Sequence, residues 1–326
     1  MNTGKIIPIA YPDTFVKYSE RGFQKSILSI FGLGNNGFIK AGHALLLLVE
    51  NKTGNIHYFD FGRYITPTGS GRVRSAVTDA ELLIPIKAKI DDSNEISNIE
   101  EILLWLEAHP EKTHGEGRMV ASVCHEVNYE KAHEFILNLQ NKGSVPYKTF
   151  GNLGSNCSRL VTDTLINSVN NKKIVSTLKR NSKFTPSPLG NVEQGANGGK
   201  IYNVFKGKIN LYKNSVFKEN LTNYFDSNAP KIAPVTLAKR VGNKQLLYGL
   251  GASAYFELTQ SSDKYIITRY TSNLVKDFEG KFTVNKKGFN IEKKYKFIYD
   301  SNCNYCHIKQ NDTIFRFDLV NSERST

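Results

Sequence analysis

The sequence predicts a two-domain α+β protein, and three observations carry that reading. The chain has 326 residues, enough for two units of ordinary domain size. Its hydrophobic pattern mixes strand and helix periods at first, then turns to short alternating runs beyond about residue 200. Its charge is divided as well: up to Asn170 there are 17 Lys+Arg and 18 Asp+Glu, and from Asn171 onward 26 and 12. The net +13 therefore belongs to the second half. The expected organisation is a first domain over residues 1–180, a linker or long loop over 181–199, and a basic, mostly antiparallel β domain over 200–326.

Gly42-His43-Ala44 through Val49-Glu50 reads as a buried strand, and Asn51 to Asn55 carries turn chemistry. Ile56 to Tyr64 is the returning strand of the hairpin, rich in aromatics. Gly69 to Gly71 reads as a flexible loop, and Leu82 to Ile90 as a further strand. Ser97 opens a helix with Glu100 completing a capping box, Ile99, Leu103 and Leu106 on its inner face, and Pro110 as its stop. Arg118 to Cys124 is a short strand. Tyr129 to Asn141 is an amphipathic helix with Ala132, Phe135, Ile136 and Leu139 inward and Gly143 past its end. Tyr147 to Ser155 is a glycine-containing loop, and Cys157 to Val169 a helix with Leu160, Val161, Leu165 and Val169 on one stripe. Thr185-Pro186-Ser187-Pro188 and Gly195 to Gly199 have linker composition. Tyr265 to Tyr270 and Tyr295 to Tyr299 are alternating strands of the second half.

Composition narrows the function classes. Apolar residues make up 40% and charged residues 22%, the balance of a folded globular chain. No run approaches the roughly 18 apolar residues of a membrane span. Residues Met1 to Pro12 lack the apolar core and cleavage site of a signal peptide. Cytoplasmic residence is the default expectation, with export by a signal-independent route, as for an injected toxin, the alternative. The four cysteines, Cys124, Cys157, Cys303 and Cys306, then read as free thiols. The lysines of the second half are scattered singly, which suits solvated strand faces and argues against sequence-specific nucleic-acid recognition. The competing reading is attraction to an anionic partner.

The chemistry is expected at Cys157. In Gly154-Ser155-Asn156-Cys157-Ser158-Arg159 a cysteine occupies the first turn of a helix, with Ser155 or Asn156 as cap. Unpaired N–H groups and the helix dipole favour a thiolate there and offer part of an oxyanion hole. His43, on a very apolar strand, is the candidate base. Asp60 on the neighbouring strand is the candidate orienting group, with His57 the alternative and a salt bridge to Arg63 or Arg74 the plain reading of Asp60. Strand alternation lets only one of His57 and Asp60 face His43. Arg72, Arg74 and Arg159 are candidates for holding a substrate carboxylate or phosphate, against a simple ion-pair role. No metal and no cofactor is expected. Cys303-Asn304-Tyr305-Cys306-His307 fits a haem-attachment string, but it has neither an export signal nor a fourth zinc ligand beside it and reads as chance.

A histidine opening an apolar strand, a polar residue on the next strand and Asn-Cys opening a helix about a hundred residues later resemble the circularly permuted papain-like hydrolases, relatives of the NlpC-type peptidases and of lecithin–retinol acyltransferase. The resemblance covers roughly Ile6 to Val169 and is carried by Gly42-His43-Ala44, Tyr58 to Tyr64 and Gly154 to Val161. The same segment is similar to an uncharacterised bacterial family with a GHA…YFDFGRY…GxGRVRS…GSNCSR pattern. The resemblance implies a permuted papain-like domain, an antiparallel sheet with packed helices, ahead of the basic β domain. It also implies Cys157 as nucleophile, His43 as base and Asp60 as orienting residue, in a cysteine-dependent hydrolase or acyltransferase working through a thioester acyl-enzyme. Peptides, cell-wall peptide crosslinks or lipid esters are the implied substrates. The rival expectation is an inert papain-like binding protein whose basic half engages an anionic partner.

Overall fold

The computed structural model describes residues 1–17, 37–148, 154–182, 186–226, 228, 237–261 and 264–320. It has the mixed α+β character read from the sequence, with antiparallel sheets and a curled antiparallel C-terminal region. The chain divides into two compact units that interleave along the sequence. The first comprises Met1–Phe61, Ile84–Asn141 and Lys148–Ala233, the second Gly62–Leu83, Lys142–Tyr147 and Pro234–Thr326. This partition differs from the expected break at residues 181–199, because those residues are not all loop. Ser187 caps a helix by accepting from the Gly190 amide at 2.8 Å, and Pro188 fills its first position. A cap-and-proline pair has the same composition as a linker, which is why the sequence pattern concealed it.

In the first unit, strands β1 (Gly4–Tyr11), β4 (His43–Glu50) and β5 (Ile56–Gly62) form the centre of an antiparallel sheet. It continues from β1 through β7 (Met119–Ser122), β10 (Ile201–Phe205) and β11 (Lys208–Leu211), while β8 (Cys124–Val127) also pairs with β1. Two short strands, β2 (Val16–Lys17) and β3 (Phe38–Ile39), pair separately. The central strands are apolar on both sides: residues 4 to 11 and 43 to 49 are all buried. That pattern belongs to a sheet covered on both faces. Within it Lys5 is buried, and its ammonium donates to Asn51 Oδ1 at 3.0 Å and Asn94 Oδ1 at 2.8 Å.

Several elements depart from expectation. The residues from Leu82 hold a 3-10 turn, Ala80–Leu82, and then irregular chain in place of a strand, where Pro85 removes a ladder donor. The helix expected from Ser97 begins at Ile99 (α1, Ile99–Glu107). Ser97 Oγ instead donates to the Lys89 carbonyl, so the capping box does not form. As expected, α1 ends ahead of Pro110, with Ala108 as its C-cap, and Pro110 then opens a short helix (α2, Pro110–Thr113). The Gly69–Gly71 loop is largely strand, β6 (Ser70–Arg74). The expected loop from Tyr147 to Ser155 lies mostly outside the described residues.

The helices that bear on the site are α3 (Tyr129–Gln140), α4 (Cys157–Ser168), α5 (Lys172–Asn181), α6 (Pro188–Ala196) and α7 (Val216–Tyr224). The His133 ring of α3 lies 5.9 Å from His57 and 6.4 Å from Phe59. Gly195 of α6 packs on Pro8. Strand alternation places Pro8, His57 and Phe59 on one face, and α4 runs between α3 and α6 over β4 on that face. The α1–α2 segment covers the opposite face, where the Tyr58 hydroxyl oxygen lies 3.4 Å from the Lys112 carbonyl.

In the second unit an eight-stranded antiparallel sheet runs β12 (Arg240–Val241), β13 (Lys244–Leu247), β14 (Ala254–Ser261), β15 (Lys264–Thr271), β16 (Lys276–Val284), β19 (Thr313–Leu319), β18 (Tyr305–Gln310), β17 (Lys296–Ile298). It curls until its two ends approach. The buried Gln245 side chain of β13 accepts from the Phe297 amide at 3.1 Å and reaches the Tyr295 carbonyl at 3.5 Å. The concave core is aromatic, with Phe289 edge-on to Phe317 at 5.0 Å. A buried ion network secures residues 62–83 within this unit. Asp79 accepts two bonds of 2.7 Å from Arg72 and one of 2.9 Å from Arg269, which also reaches Glu81 and Asp277.

Burial alone would raise the Asp79 pKa, but the Arg72 and Arg269 charges hold its carboxyl well below the usual carboxylate range. A depressed folded-state pKa means stability that is complete above the unfolded value of about 4 and lost as pH falls below it. Acid titration of wild type should show that loss, and Asp79→Asn should remove much of it. The same substitution leaves two buried guanidinium groups short of a countercharge. It should cost about 3–5 kcal/mol, read as a lowered denaturant midpoint.

Candidate active site

The register of the three central strands decides which side chains meet. Tyr11 pairs with His43, Leu45 with Asp60, and Leu48 with His57. His43, Leu45 and Asp60 therefore share one face, and His57 lies on the other. The His43 Nε2 and Asp60 Oδ2 atoms stand 4.0 Å apart, within ion-pair range but longer than a hydrogen bond. Both side chains are buried, His43 at 7% exposure and Asp60 at 0%. Tyr58, two residues before Asp60 and on the same face, donates its hydroxyl to Asp60 Oδ2 at 2.9 Å. His57 instead joins an aromatic cluster with Tyr129 and His133, where burial and the neighbouring His133 lower its pKa. Of the two candidates for the orienting role, the structure brings only Asp60 to the His43 ring.

Cys157 is the first residue of α4. Asn156 caps that helix, its Oδ1 accepting from the Arg159 amide at 2.8 Å while its Nδ2 donates to the Lys148 carbonyl at 2.9 Å. The cap thus also fixes the entering chain. Cys157 is 8% exposed as a residue, against 0–2% for the other three cysteines. Helix α4 is buried along almost its whole length although it carries many hydroxyls. Thr164 and Ser168 each donate to the carbonyl four residues back, at 2.7 Å, while the Thr162 hydroxyl lies 2.7 Å from Asn191 Oδ1 of α6 and 2.9 Å from the Ser158 carbonyl.

Helix α6 ties the two ends together. A Cβ on Gly42 would lie 3.4 Å from Pro188 Cγ. One helical turn on, Asn191 donates to Ser158 Oγ at 3.0 Å and to the Ser158 carbonyl at 2.9 Å. The residue before His43 and the residue after Cys157 therefore both abut the first turn of α6. Helix α4 lies over the face opposite to that of His43, so the only route between imidazole and thiol is around the end of the sheet. That end is where His43 stands, at the start of its strand. Gly42, at φ +75° and with the Tyr11 carbonyl 3.1 Å from where a Cβ would be, makes the close turn into it.

The three arginines separate. Arg72 is committed to Asp79 and, through Nε, to the Tyr64 carbonyl at 2.9 Å. Its guanidinium thus takes the ion-pair role that was the alternative to substrate binding in the sequence reading. Arg74 stacks 3.8 Å over the Tyr64 ring. Arg159 is buried beside Cys157 on α4, and among the described residues its Nε has no hydrogen-bond partner. Cys303 and Cys306 are interior residues of the second unit. Burial pushes the Cys303 thiol up to about 12 and the Cys306 thiol higher still. Burial likewise raises Cys124 to about 12. Among the described residues no group of His, Cys, Asp and Glu is arranged to hold a metal.

Two partners escaped the sequence pattern. Tyr58 was within reach of the period-two rule, which puts residues 58 and 60 together. Asn191 was not, since it lies in a segment read as linker.

The fold and site so described are those of a mixed α+β protein with a cysteine at a buried helix start and a histidine–carboxylate pair at a strand start. Residues 6–174 match the family model described as Type VI secretion system effector TseH-like, more than half of the chain, and the chain belongs to that family. Residues 244–320 match a second model, the DUF6695 C-terminal domain. No curated protein matches. Among solved structures the chain is similar to the crystal structure of a type VI secretion system effector, TseH, at 18% identity, covering 65% of this chain and 99% of that one, with a TM-score of 0.41.

Tyr58→Phe should leave the fold intact but remove a hydrogen bond to a buried carboxylate. The expected cost is about 1.5–3 kcal/mol in a denaturant titration. An unchanged midpoint would show that the hydroxyl does not hold Asp60.

Proposed function

We propose that this protein is a secreted effector enzyme, a cysteine-dependent hydrolase or acyltransferase of the permuted papain-like kind. The observation that carries the reading is the placement of Cys157 and of the His43–Asp60 pair at helix and strand starts that share the first turn of α6. Membership of the effector family supports it. Among the described residues no helix is long and apolar enough to cross a membrane.

In this reading His43 takes the Cys157 proton, and Asp60, held by Tyr58, steadies the resulting imidazolium. The thiolate adds to an amide or ester carbonyl, and amides at the α4 N-terminus receive the developing oxyanion. Collapse of that intermediate breaks the bond to the leaving group, which takes the proton from His43, and leaves a thioester on Cys157. Water or an acceptor nucleophile, deprotonated by His43, then releases the acyl group and restores the thiol. Arg159, with a spare buried donor, is the residue of the three arginines suited to a substrate carboxylate. Peptide crosslinks of the cell wall fit an injected effector best among the substrates the site chemistry allows.

Two measurements test this. Wild type should be labelled by a thiol-directed acyl probe, and Cys157→Ala should fold alike yet lose the label; persistence of labelling at the same rate would refute the assignment. Directed to the bacterial periplasm, wild type should arrest growth, and Cys157→Ala or His43→Ala should relieve the arrest. Equal toxicity of all three would point to an inert binding protein.

A further inference from the structure

Helix α7 of the first unit presents an apolar stripe to solvent. Val216 and Asn223 face inward, the latter donating to the Pro12 carbonyl at 3.0 Å. Phe217, Leu221 and Phe225 recur every four residues and so share one side. They are 76%, 48% and 56% exposed, on a helix otherwise well anchored. Large exposed apolar residues at three successive turns, two of them aromatic, are not the ordinary scatter of single surface apolar groups.

The charge along the chain up to this stripe is one-sided, and the acid that follows it, Asp226, is paired with Lys40 at 3.2 Å. Between Asn197 and Phe225 the chain carries Lys200, Lys206, Lys208, Lys213 and Lys218 against one acid, Glu219. Glu219 is consumed internally: Arg118 pairs with it, and Tyr212 and Asn214 donate to it at 2.9 and 3.2 Å. Lys218 borders the stripe, and Lys213 lies just before the helix, next to Tyr212; both are exposed. The preceding hairpin turn has the same composition, with exposed Phe205 under the Lys206 ammonium at 5.1 Å.

We propose that this face docks the protein on an anionic lipid surface, with Phe217, Leu221 and Phe225 entering the headgroup–acyl boundary and the lysines pairing with lipid phosphates. Aromatic residues flanked by lysine on a short amphipathic helix suit an interface that is apolar below and negatively charged above. A second copy of the chain fits poorly, because self-pairing would bring like lysines together. The inference is independent of the chemistry at Cys157. It narrows the attraction to anionic partners from the whole basic half to one helix face. For an enzyme acting on wall or lipid bonds, such docking would concentrate it beside its substrate.

The test is flotation of the full chain with vesicles of phosphatidylcholine mixed with phosphatidylglycerol, against phosphatidylcholine alone. Binding is expected to the anionic vesicles only and to weaken with added salt. Lys213→Glu/Lys218→Glu should reduce it by roughly tenfold or more, at about fivefold per lysine removed. Phe217→Ser/Phe225→Ser should also reduce it by at least about tenfold, with circular dichroism unchanged. The proposal is overturned by equal binding to both vesicle types, by no binding at all, or by full binding of the phenylalanine variant. It is also overturned by light scattering that finds a dimer dissociated by Phe217→Ser/Phe225→Ser.

Discussion

The register of β4 against β1 and β5 is the constraint on which the site depends. Its side chains alternate with a period of two, so a slip of one residue would send His43 and Asp60 to opposite faces and Leu46 to the place of Leu45. Burial of both faces fixes the register, because neither face of β4 tolerates a polar substitute. His43 stands at the strand's first position, next to a glycine turn, with its Nε2 4.0 Å from the Asp60 carboxylate. Helix α4 is located by different means: a capped start, hydroxyls closed on their own backbone, and an asparagine from α6 bonded to Ser158. The two halves of the candidate site thus come from elements fixed separately, both of which border the first turn of α6.

Much of this was legible in the sequence. The hairpin from His43 to Gly62 showed as apolar runs around Asn-Lys-Thr-Gly-Asn, and the start of α4 as Asn156 before Cys157. The choice between Asp60 and His57 followed from parity alone once the pairing of Leu45 with Asp60 was known. Other features depended on distant partners. Ser187-Pro188 is ambiguous until the helix it opens finds Ser122, whose Oγ donates to the Val192 carbonyl at 2.7 Å. Ser97 looked like a cap but spends its hydroxyl on Lys89, across a loop no local pattern reveals. Arg72 could be matched to Asp79 only after β6 and the following turn were folded.

The interleaving of the two units explains why charge and fold boundaries disagree. Composition changes near residue 170, yet the first unit continues to Ala233 and the second includes residues 62–83. Those residues follow directly on β5, the strand of Asp60, and are held in the second unit by the Arg72–Asp79–Arg269 network. The basic surplus is accordingly shared, with Lys200, Lys206, Lys208 and Lys213 in the segment that leads into α7 and Lys218 within it.

The central claim is that the Cys157 thiol gives its proton to His43. Thiolate absorbance near neutral pH, followed in wild type, Cys157→Ala and His43→Ala, measures it directly. The account predicts a signal lost in Cys157→Ala that titrates below pH 7 in wild type and moves toward the ordinary thiol value of about 8.5 in His43→Ala. A Cys157 titration at the ordinary value, unmoved by removal of the imidazole, would contradict it.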